Sequence, residues 1–216
     1  MNTMSDLMKF WDTNFKSLNL DDNQKLEELC PSNKFIDLFK QYKNMHVLDY
    51  GAGIGWASYI LALNNKVLSV DTSDGAIKII NHYKELHNLN IDAKVINTNW
   101  IYDNKMKFDL INSANVLDVL PLDTSREIIK AFYNMLNKDG IAIISFNYYI
   151  DLEEAKKAYL VKGKEIYIDG ILRLSSLKDN EWINEFKNYF DVEKLIYFSW
   201  PGEEKESRRL FILKKK

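Results

Sequence analysis

The fold of this chain is decided by the stretch Val47-Leu48-Asp49-Tyr50-Gly51-Ala52-Gly53-Ile54-Gly55. Its first half is a short apolar run, which predicts a buried strand that ends at the first glycine. Glycines at alternate positions let the backbone turn tightly and let a ligand approach the main chain closely. A helix predicted from residue 55 to residue 63 follows, and the first N–H groups of a helix have no partner within it. The stretch therefore predicts a strand, a ligand-binding turn and a helix in succession.

Strands and helices alternate along the next hundred residues. This alternation predicts βαβ units and a parallel sheet with helices on both faces. The predicted elements are a strand at Val67–Val70, a helix from Ser73 to about His87, strands at Ala93–Asn97 and Phe108–Asn112, a helix opened by a capping box at Thr124–Glu127 and ending near Asn137, and a strand at Ile141–Phe146.

Helical segments are predicted before the first strand. Asp21 or Asp22 is predicted to cap a helix that stops at Cys30-Pro31, and Ser32 to cap a second one that reaches about Tyr42. The chain contains no Pro/Gly/Ser-rich linker and no repeat, so we expect one domain.

The alternation ends after the fifth strand, where two hairpins are predicted. Asp169-Gly170 is a strong two-residue hairpin signal, and a capping box precedes another helix. The predicted C-terminal elements are a hairpin of residues 164–168 and 171–175, a helix capped at Ser176–Asp179 and reaching about Phe190, and a closing hairpin of residues 192–199 and 208–213.

The composition excludes several classes of protein. The 216 residues include 29 Lys and Arg against 31 Asp and Glu, and this net charge of −2 argues against a protein that grips a phosphate backbone. The single cysteine, Cys30, excludes an internal disulfide. Residues 1–6 carry no secretory signal, and apolar runs such as Ile141–Phe146 fall far short of the roughly 20 residues that span a bilayer. We therefore expect a cytoplasmic protein that binds neither nucleic acid nor a membrane.

The charges around the glycine turn indicate which ligand it binds. Asp71 ends the second predicted strand, where a carboxylate can accept hydrogen bonds from ribose hydroxyls. A glycine turn followed by such an acid is typical of a site for an adenosine-containing ligand. A dinucleotide fingerprint needs a third glycine where this chain has Trp56. Asp49 would oppose a pyrophosphate but favour an ammonium and a sulfonium, so the pattern favours S-adenosylmethionine over NAD.

The stretch at 47–55 resembles the first motif of the class I S-adenosylmethionine-dependent methyltransferases, and Val67–Asp71 resembles their second motif. The resemblance covers residues 45–147, and the predicted elements at 177–213 match the closing topology of the family. It implies an α/β, Rossmann-like three-layer sandwich, in which a seven-stranded, mostly parallel sheet ends in a C-terminal antiparallel hairpin and carries an N-terminal helical cap. The implied parts of this single methyltransferase domain are the cap at 1–43, the cofactor-binding core at 44–147, and the hairpin insert with the closing strands at 148–216.

The resemblance also implies contacts to the cofactor, residue by residue. The backbone from Gly51 to Gly55 is expected to hold the methionine end, Asp49 to orient that end indirectly, and Asp71 to bind the ribose. At the family's third acidic position this chain has Asn97-Thr98-Asn99-Trp100, where Asn97 or, preferably, Asn99 can accept from the adenine amine and Trp100 can stack on the ring. The implied cofactor residues are Asp49, Gly51, Ala52, Gly53, Gly55, Asp71, Thr72, Asn99, Trp100, Asn115 and Val116.

The methyl acceptor is expected to bind above the sheet, between the N-terminal helices and the segments after the fourth and fifth strands. Aromatic walls there would suit an apolar or ring-bearing acceptor, although packing of the helices on the sheet is the alternative role for the same side chains. Many small-molecule members of the family carry a Glu-His pair near Asp118-Val119, but this chain lacks the histidine, so no general base is assigned. No pair of histidines has metal-ligand spacing, so no metal is expected. The acceptor-pocket candidates are Trp11, Asn115, Tyr148 and Tyr149.

Three functions remain open at the level of sequence. The leading hypothesis is a methyltransferase that acts on an oxygen or nitrogen atom of a small molecule. Asn99-Trp100 resembles the Asp-Trp of some lysine methyltransferases, so a protein side chain is the alternative acceptor. A non-catalytic scaffold that keeps the cofactor fold is the third hypothesis. The hairpin at 164–175 is predicted either to cover the pocket or to form a contact in a homodimer.

Overall fold

The computed structural model describes residues 4–216. Residues 1–3, which belong to the predicted helical cap and to the segment predicted to carry no secretory signal, lie outside the described residues. Its α-helices are α1 Met4–Lys16, α2 Asn33–Phe39, α3 Trp56–Leu61, α4 Asp74–Leu86, α5 Trp100–Asp103, α6 Leu122–Met135, α7 Leu152–Ala155 and α8 Asp179–Phe186, with short 3₁₀ helices at Leu26–Leu29 and Leu117–Val119. Its strands are β1 His46–Tyr50, β2 Lys66–Asp71, β3 Ile91–Val95, β4 Phe108–Ala114, β5 Leu136–Phe146, β6 Leu160–Lys162, β7 Glu165–Ile168, β8 Ile171–Ser175, β9 Phe190–Phe198 and β10 Arg208–Lys215.

The main sheet has seven strands in the order β3-β2-β1-β4-β5-β10-β9. The first five strands of that order pair in parallel, and β10 pairs antiparallel with both β5 and β9. The predicted fold class is therefore confirmed. Because β1 has β2 on one side and β4 on the other, the chain reverses its direction of winding beside β1, and ligands of such sheets bind in the crevice at that point.

Two apolar clusters cover the two faces of the sheet. One includes Trp182 and Phe186 of α8, and Trp182 stacks on Phe146 of β5 with 4.1 Å between the ring centroids. The other joins α2, α3 and α4, where Phe35 and Trp56 lie 4.9 Å apart between ring centroids. Burial on both faces explains why the central parallel strands are apolar runs with little polar alternation. Within residues 4–216, no helix is long and apolar enough to cross a membrane.

A second, three-stranded antiparallel sheet of order β6-β7-β8 contains the predicted hairpin. Asp169 and Gly170 have φ values of 52° and 76°, the positive values that a type I′ turn requires at both central residues. The short strand β6 was not predicted, because its three residues give too little periodicity to recognise.

Three predicted helix starts are wrong, two of them because the capping side chain bonds elsewhere. Asp21 accepts from the backbone N–H of Asn23 and so closes a local turn, and the segment up to Cys30 holds only a 3₁₀ helix. The helix predicted to begin at Thr124 begins earlier, at Leu122, directly after Pro121. The hydroxyl of Ser176 bonds with the backbone of Ile150, and α8 instead begins after Lys178, with Glu181 accepting from the Lys178 N–H.

Several element boundaries also differ from those predicted. The helix ends predicted near residues 42, 63, 137 and 190 lie at Phe39, Leu61, Met135 and Phe186. Strand β5 begins at Leu136, ahead of the predicted Ile141, because Asp139, with a φ of 64°, accommodates an irregularity within the strand. Strand β3 lies two residues earlier than predicted, at 91–95.

Candidate cofactor and acceptor site

A cavity of about 580 Å³ lies across the carboxyl ends of the parallel strands. Small-molecule sites typically have volumes of about 300–1,000 Å³ and are mostly apolar. Helix α1 forms one wall, and the segments that follow β1 to β5 form the floor. The lining residues are Met4, Met8, Trp11, Phe15, Tyr50, Gly51, Ala52, Gly53, Ile54, Trp56, Asp71, Thr72, Ile96, Thr98, Asn99, Tyr102, Ala114, Asn115, Val116, Val119, Leu120, Thr124, Ile128, Asn147 and Trp200.

The glycine turn after β1 forms the centre of the cavity floor. Gly51 and Gly53 have φ values of 66° and 53°, in the left-handed region that disfavours other residues. A Cβ atom on Gly51 would lie 2.4 Å from Cγ2 of Val116, so the close packing of this turn on the end of β4 requires glycine. The backbone N–H of Gly53 donates to Oδ2 of Asp71 over 2.9 Å, which ties the turn to the end of β2.

Asp71 is the one carboxylate among the described residues that line the cavity. Its Oδ1 accepts from the backbone N–H of Ser73 over 2.9 Å, so two main-chain donors fix the side chain. Burial raises the pKa of Asp71, and the bonds from Ser73 and Gly53 oppose that shift. A carboxylate with two oxygens carries about four lone pairs, so acceptor capacity remains for hydroxyl groups in the cavity.

Asp49 lies beneath the turn and does not line the cavity. Its carboxylate accepts from the hydroxyl of Ser58 and, over 2.7 Å, from Nδ2 of Asn112. Burial raises the pKa of Asp49 to about 6, in spite of those two hydrogen bonds. The negative charge therefore acts on the turn from below, without direct contact with the cavity.

Two asparagines line the cavity beyond β3 and β4. Asn99 lines it, whereas the side chain of Asn97 accepts from the Asn99 backbone N–H and turns away. Asn115, directly after β4, has a φ of 56°, and its buried Nδ2 has no partner among the described residues. Its neighbour Val116 packs over Gly51. An unpartnered buried amide in a cavity wall is a donor available to a ligand.

Helix α1 covers the cavity with Met4, Met8, Trp11 and Phe15, which share one face because they are three or four residues apart. Asp12, on an adjacent face, accepts from the Ser73 hydroxyl over 2.7 Å and from the Gly75 N–H over 3.1 Å. Bonds from the Lys16 ammonium and then from Ser73 lower the pKa of Asp12 to about 2. This ionised side chain fastens α1 to the start of α4.

Removing that fastening is expected to speed ligand release. In Asp12→Ala, α1 keeps its apolar contacts but loses its bonds to Ser73 and Gly75, so we expect S-adenosylhomocysteine to dissociate about tenfold faster, from the typical worth of a charged hydrogen bond. Stopped-flow tryptophan fluorescence measures this rate. Asn14→Ala, on the exposed side of the same helix, is the control. An unchanged rate in Asp12→Ala would show that α1 does not gate the cavity.

The far end of the cavity, beyond β4, is formed by Asn147, which follows β5, and by Trp200 in the β9–β10 connection. Trp200 meets Trp56 edge to face, with 5.8 Å between the ring centroids. The sequence prediction did not assign either Asn147 or Trp200 to the site. A signal for Trp200 was present, because a strand that pairs antiparallel with β5 must start at the edge where β5 ends, and this brings the preceding connection to the cavity.

Five of the predicted site residues lie outside the cavity lining, and Asp49 is one of them. Gly55 packs in the core, where a Cβ atom would lie 2.8 Å from Ile80 and Tyr59. Trp100 begins α5 and packs against the apolar cluster of the sheet. Tyr148 is 42% exposed, and Tyr149 lies under the Lys178 ammonium. The predicted residues that the structure brings together around the cavity are Trp11, Gly51, Ala52, Gly53, Asp71, Thr72, Asn99, Asn115 and Val116.

The donor set of the cavity fits an adenosine-containing cation. A positively charged ligand meets no cationic side chain among the described lining residues, and it meets the Asp71 carboxylate. Gly51 and Gly53 leave the main chain open to a ligand, and the Asn115 amide supplies an unused donor. Aromatic rings of Trp11, Phe15 and Trp56 can face a positive sulfur.

Comparisons with known proteins agree with this geometry. Residues 41–192 match the model of a family described as methyltransferase domain. A bifunctional methyltransferase of Rickettsia typhi is 33% identical over 88 residues. That match covers 39% of this chain and 17% of the relative, so the chain spans far less than two thirds of the relative's length.

Solved structures share the fold over nearly the whole chain. The 1,6-didemethyltoxoflavin-N1-methyltransferase of Burkholderia thailandensis, crystallised with 1,6-didemethyltoxoflavin and S-adenosylhomocysteine, superposes with a TM-score of 0.72 at 14% identity, covering 100% of this chain and 92% of that one. The N-methyltransferase NodS of Bradyrhizobium japonicum, crystallised with S-adenosylhomocysteine, superposes with a TM-score of 0.67 at 15% identity. This match covers 97% of this chain and 98% of that one.

Proposed function

Because this chain belongs to the methyltransferase-domain family, whose methyl donor is S-adenosylmethionine, we propose that it methylates an oxygen or nitrogen atom of a small-molecule acceptor. The observation that supports this most strongly is the cavity itself, which runs from Asp71 at the end of β2 to Asn147 after β5. The cavity thus extends along the carboxyl ends of several adjacent strands, and the proposal places the cofactor and the acceptor side by side along this edge. The proposal includes a cytoplasmic location, supported by the free, buried thiol of Cys30.

The proposed cofactor contacts divide along the sheet. Asp71 would accept from the ribose hydroxyls, Asn99 would accept from the adenine amine, and the turn at 51–53 would hold the methionine end. When bound, S-adenosylmethionine supplies a methyl carbon on a positive sulfur, which the acceptor atom attacks in line while the carbon–sulfur electron pair leaves with the sulfur. The chain would contribute alignment and exclusion of water, which can supply about 7–11 kcal/mol in well-oriented reactions.

Support for a small acceptor comes from the shape and chemistry of the cavity. Trp56 and Trp200 form a wall of the cavity, and helix α1 forms another, so a ring-sized molecule fits better than an extended polypeptide. Both solved structures named above are described as N-methyltransferases, and one holds 1,6-didemethyltoxoflavin. We therefore propose the same general class of acceptor for this chain.

Two measurements test the proposal. Calorimetry should show binding of S-adenosylhomocysteine and none of NAD, and absence of S-adenosylhomocysteine binding at millimolar ligand would favour the non-catalytic scaffold. Incubation of the protein with methyl-tritiated S-adenosylmethionine and a metabolite extract should place the label in a small molecule. Label in protein or RNA would contradict the proposed acceptor class.

The proposed role of Asp49 predicts a pH dependence. Its pKa is raised to about 6, so the carboxylate is ionised above that pH and loses its charge as the pH falls through it. Affinity for the cationic cofactor should therefore be highest above pH 6 and fall below it. Calorimetric titrations of the wild type with S-adenosylmethionine, at pH values on either side of 6, should show this fall in affinity. In Asp49→Asn the affinity should be weaker at neutral pH and depend less on pH, although Asp71 in the cavity, whose pKa burial also raises, still titrates.

The difference between the two pH profiles is the quantity that decides this prediction. Asn at position 49 can keep a hydrogen bond to Asn112 or Ser58 while losing the charge. Identical profiles in the wild type and in Asp49→Asn would show that the Asp49 charge does not act on the ligand.

A further inference from the structure

The far end of the cavity lies well away from the proposed ribose contact. Asp71 ends β2 and Asn147 follows β5, and in the sheet these strands are separated by β1 and β4. Three strand spacings of about 4.8 Å place them about 14 Å apart. If the cofactor occupies the side of Asp71, the side of Asn147 faces a different ligand.

The Asn147 side chain and main chain are held by three hydrogen-bonding neighbours, Asp118, Arg208 and Arg209. Its backbone N–H and its Nδ2 donate to Oδ2 of the buried Asp118 over 2.7 and 2.8 Å. Its carbonyl accepts from Nε and Nη2 of Arg209 over 3.0 and 2.8 Å, and its Oδ1 accepts from Arg208. These contacts fix the amide in one orientation, yet Nδ2 keeps a second hydrogen and Oδ1 a second lone pair. The cavity therefore presents a rigid amide edge.

Arg208 places Trp200 beside that amide. The Arg208 guanidinium lies 5.3 Å from the centre of the Trp200 ring while it donates to Oδ1 of Asn147. Glu203 holds the same arginine with an Nη2–Oε1 distance of 2.7 Å and also accepts from the Trp200 backbone N–H over 2.8 Å. Trp56 meets the Trp200 ring edge to face. A flat aromatic wall thus stands next to a fixed hydrogen-bonding edge.

The charge of this end constrains its ligand. No Lys, Arg, His or Glu side chain lines the cavity in the part of the chain that the structure describes, and Asp71 lies at the opposite end. The Arg208 guanidinium, which bonds to Asn147, is already paired with Glu203 and does not line the cavity. A charged acceptor would therefore lose hydration here without gaining an unpaired counter-charge, which is costly. None of the described residues that line this end is a Lys, a His or a carboxylate that could take a proton from the acceptor, and the buried Asp118 that bonds to Asn147 lies outside the lining. An acceptor atom that needs no prior deprotonation, such as a neutral nitrogen, therefore fits best. Any proton that this nitrogen carries would pass to water afterwards.

We propose that Asn147 and Trp200 form the acceptor subsite and that it takes a neutral, planar nitrogen compound. The ring of that compound would pack on Trp200, and the Asn147 amide would bond to its edge and set its orientation. Arg208 and Asp118 are positioning residues that act through Asn147. The inference rests on the proposed function, because it assumes that the cofactor occupies the side of Asp71.

The test uses the full chain loaded with S-adenosylhomocysteine and ligand-observed NMR. The probes are benzimidazole and indazole, which are neutral and planar, and their ring-carboxylated analogues, which are anionic at neutral pH. The proposal expects saturation transfer to the neutral probes and little to the anionic ones. Equal binding of both types, or no binding of the neutral probes, would overturn it.

Substitutions at Trp200 and Asn147 test whether the neutral probes bind at the proposed subsite. Trp200→Ala should lower the affinity for the neutral probes about tenfold, in line with the typical worth of stacking on an aromatic ring. Trp200→Phe should restore most of the affinity, and Asn147→Ala should weaken it. Tyr159→Ala, an exposed aromatic outside the cavity lining, is the matched control. Probe binding that is unaffected in Trp200→Ala would overturn the assignment.

Calorimetry with S-adenosylhomocysteine separates this inference from the proposed function. All of these variants should bind S-adenosylhomocysteine as the wild type does, because neither Trp200 nor Asn147 is a proposed cofactor contact. Failure of the wild type to bind it would defeat the proposed function itself. Normal binding with probe recognition independent of Trp200 and Asn147 would defeat the inference alone.

Discussion

Gly53→Val is expected to abolish binding of S-adenosylhomocysteine while the chain still folds. A Cβ atom at this position would lie 3.3 Å from Cζ of Phe15, and the two methyl groups of valine would extend further into the space between the turn and helix α1. The φ of Gly53 is 53°, so a β-branched residue would also strain the backbone that donates to Asp71. Calorimetry measures the binding, and far-UV circular dichroism measures the fold.

A matched control is available elsewhere in the chain. Gly163, between β6 and β7, has a φ of 58°, and a Cβ atom there would have nothing within 4 Å. Gly163→Val therefore imposes similar backbone strain without obstructing the cavity, and it should bind the ligand normally. Wild-type affinity in Gly53→Val would remove the turn from the binding site.

Asp71→Ala is expected to weaken the binding of S-adenosylhomocysteine by about 1.5–3 kcal/mol, the typical worth of hydrogen bonds to a charged group. This corresponds to a dissociation constant roughly 10- to 150-fold higher. The loss has two physical sources. The carboxylate no longer accepts from the ribose, and the N–H groups of Gly53 and Ser73 lose their acceptor, which loosens the turn. Asp71→Asn keeps the size of the side chain and should fall between Ala and the wild type.

Asp109→Asn separates binding from folding. Asp109, at the start of β4, accepts from the His46 backbone N–H and from Asn137, so it resembles Asp71 in its bonds but lies at the opposite edge of the sheet. We expect this variant to lower the thermal midpoint and leave the affinity unchanged. If Asp71→Ala also binds as tightly as the wild type, the ribose lies elsewhere.

The sequence was sufficient to predict the parts of the site whose determinants are local. The glycine spacing at 51–55 encodes the turn, and Asp71 follows from its place at the end of an apolar run. The parallel pairing of the first five strands follows from the alternation of elements. In each case the residues that specify the feature lie within a few positions of it, so a periodic or spacing argument can detect them.

The far end of the cavity could not be predicted in this way, because distant segments build it. Asn147 is fixed by Arg208, 61 positions along the chain, and Trp200 reaches Trp56 only after the closing hairpin pairs with β5. Tyr148 and Tyr149 were chosen for their aromatic rings, but neither lines the cavity, whereas the preceding Asn147 does. The capping box predicted at Ser176–Asp179 failed for the same reason, since the Ser176 hydroxyl bonds across to Ile150.

The structure also explains the choice between the two asparagines after β3. Asn97 and Asn99 are equivalent in sequence terms, because each is a short amide near the expected adenine. The side chain of Asn97 is occupied by the Asn99 N–H, and this local turn leaves Asn99 to line the cavity. Contact between Asn99 and adenine stays a prediction.

A crystal structure with S-adenosylhomocysteine tests the central claim most directly. We predict density for the ligand across the carboxyl ends of β1 and β2, with its ribose hydroxyls on Asp71 and its methionine end on residues 51–53. Density for the ligand on another surface, or a refined structure in which neighbouring side chains fill this crevice, would contradict the account.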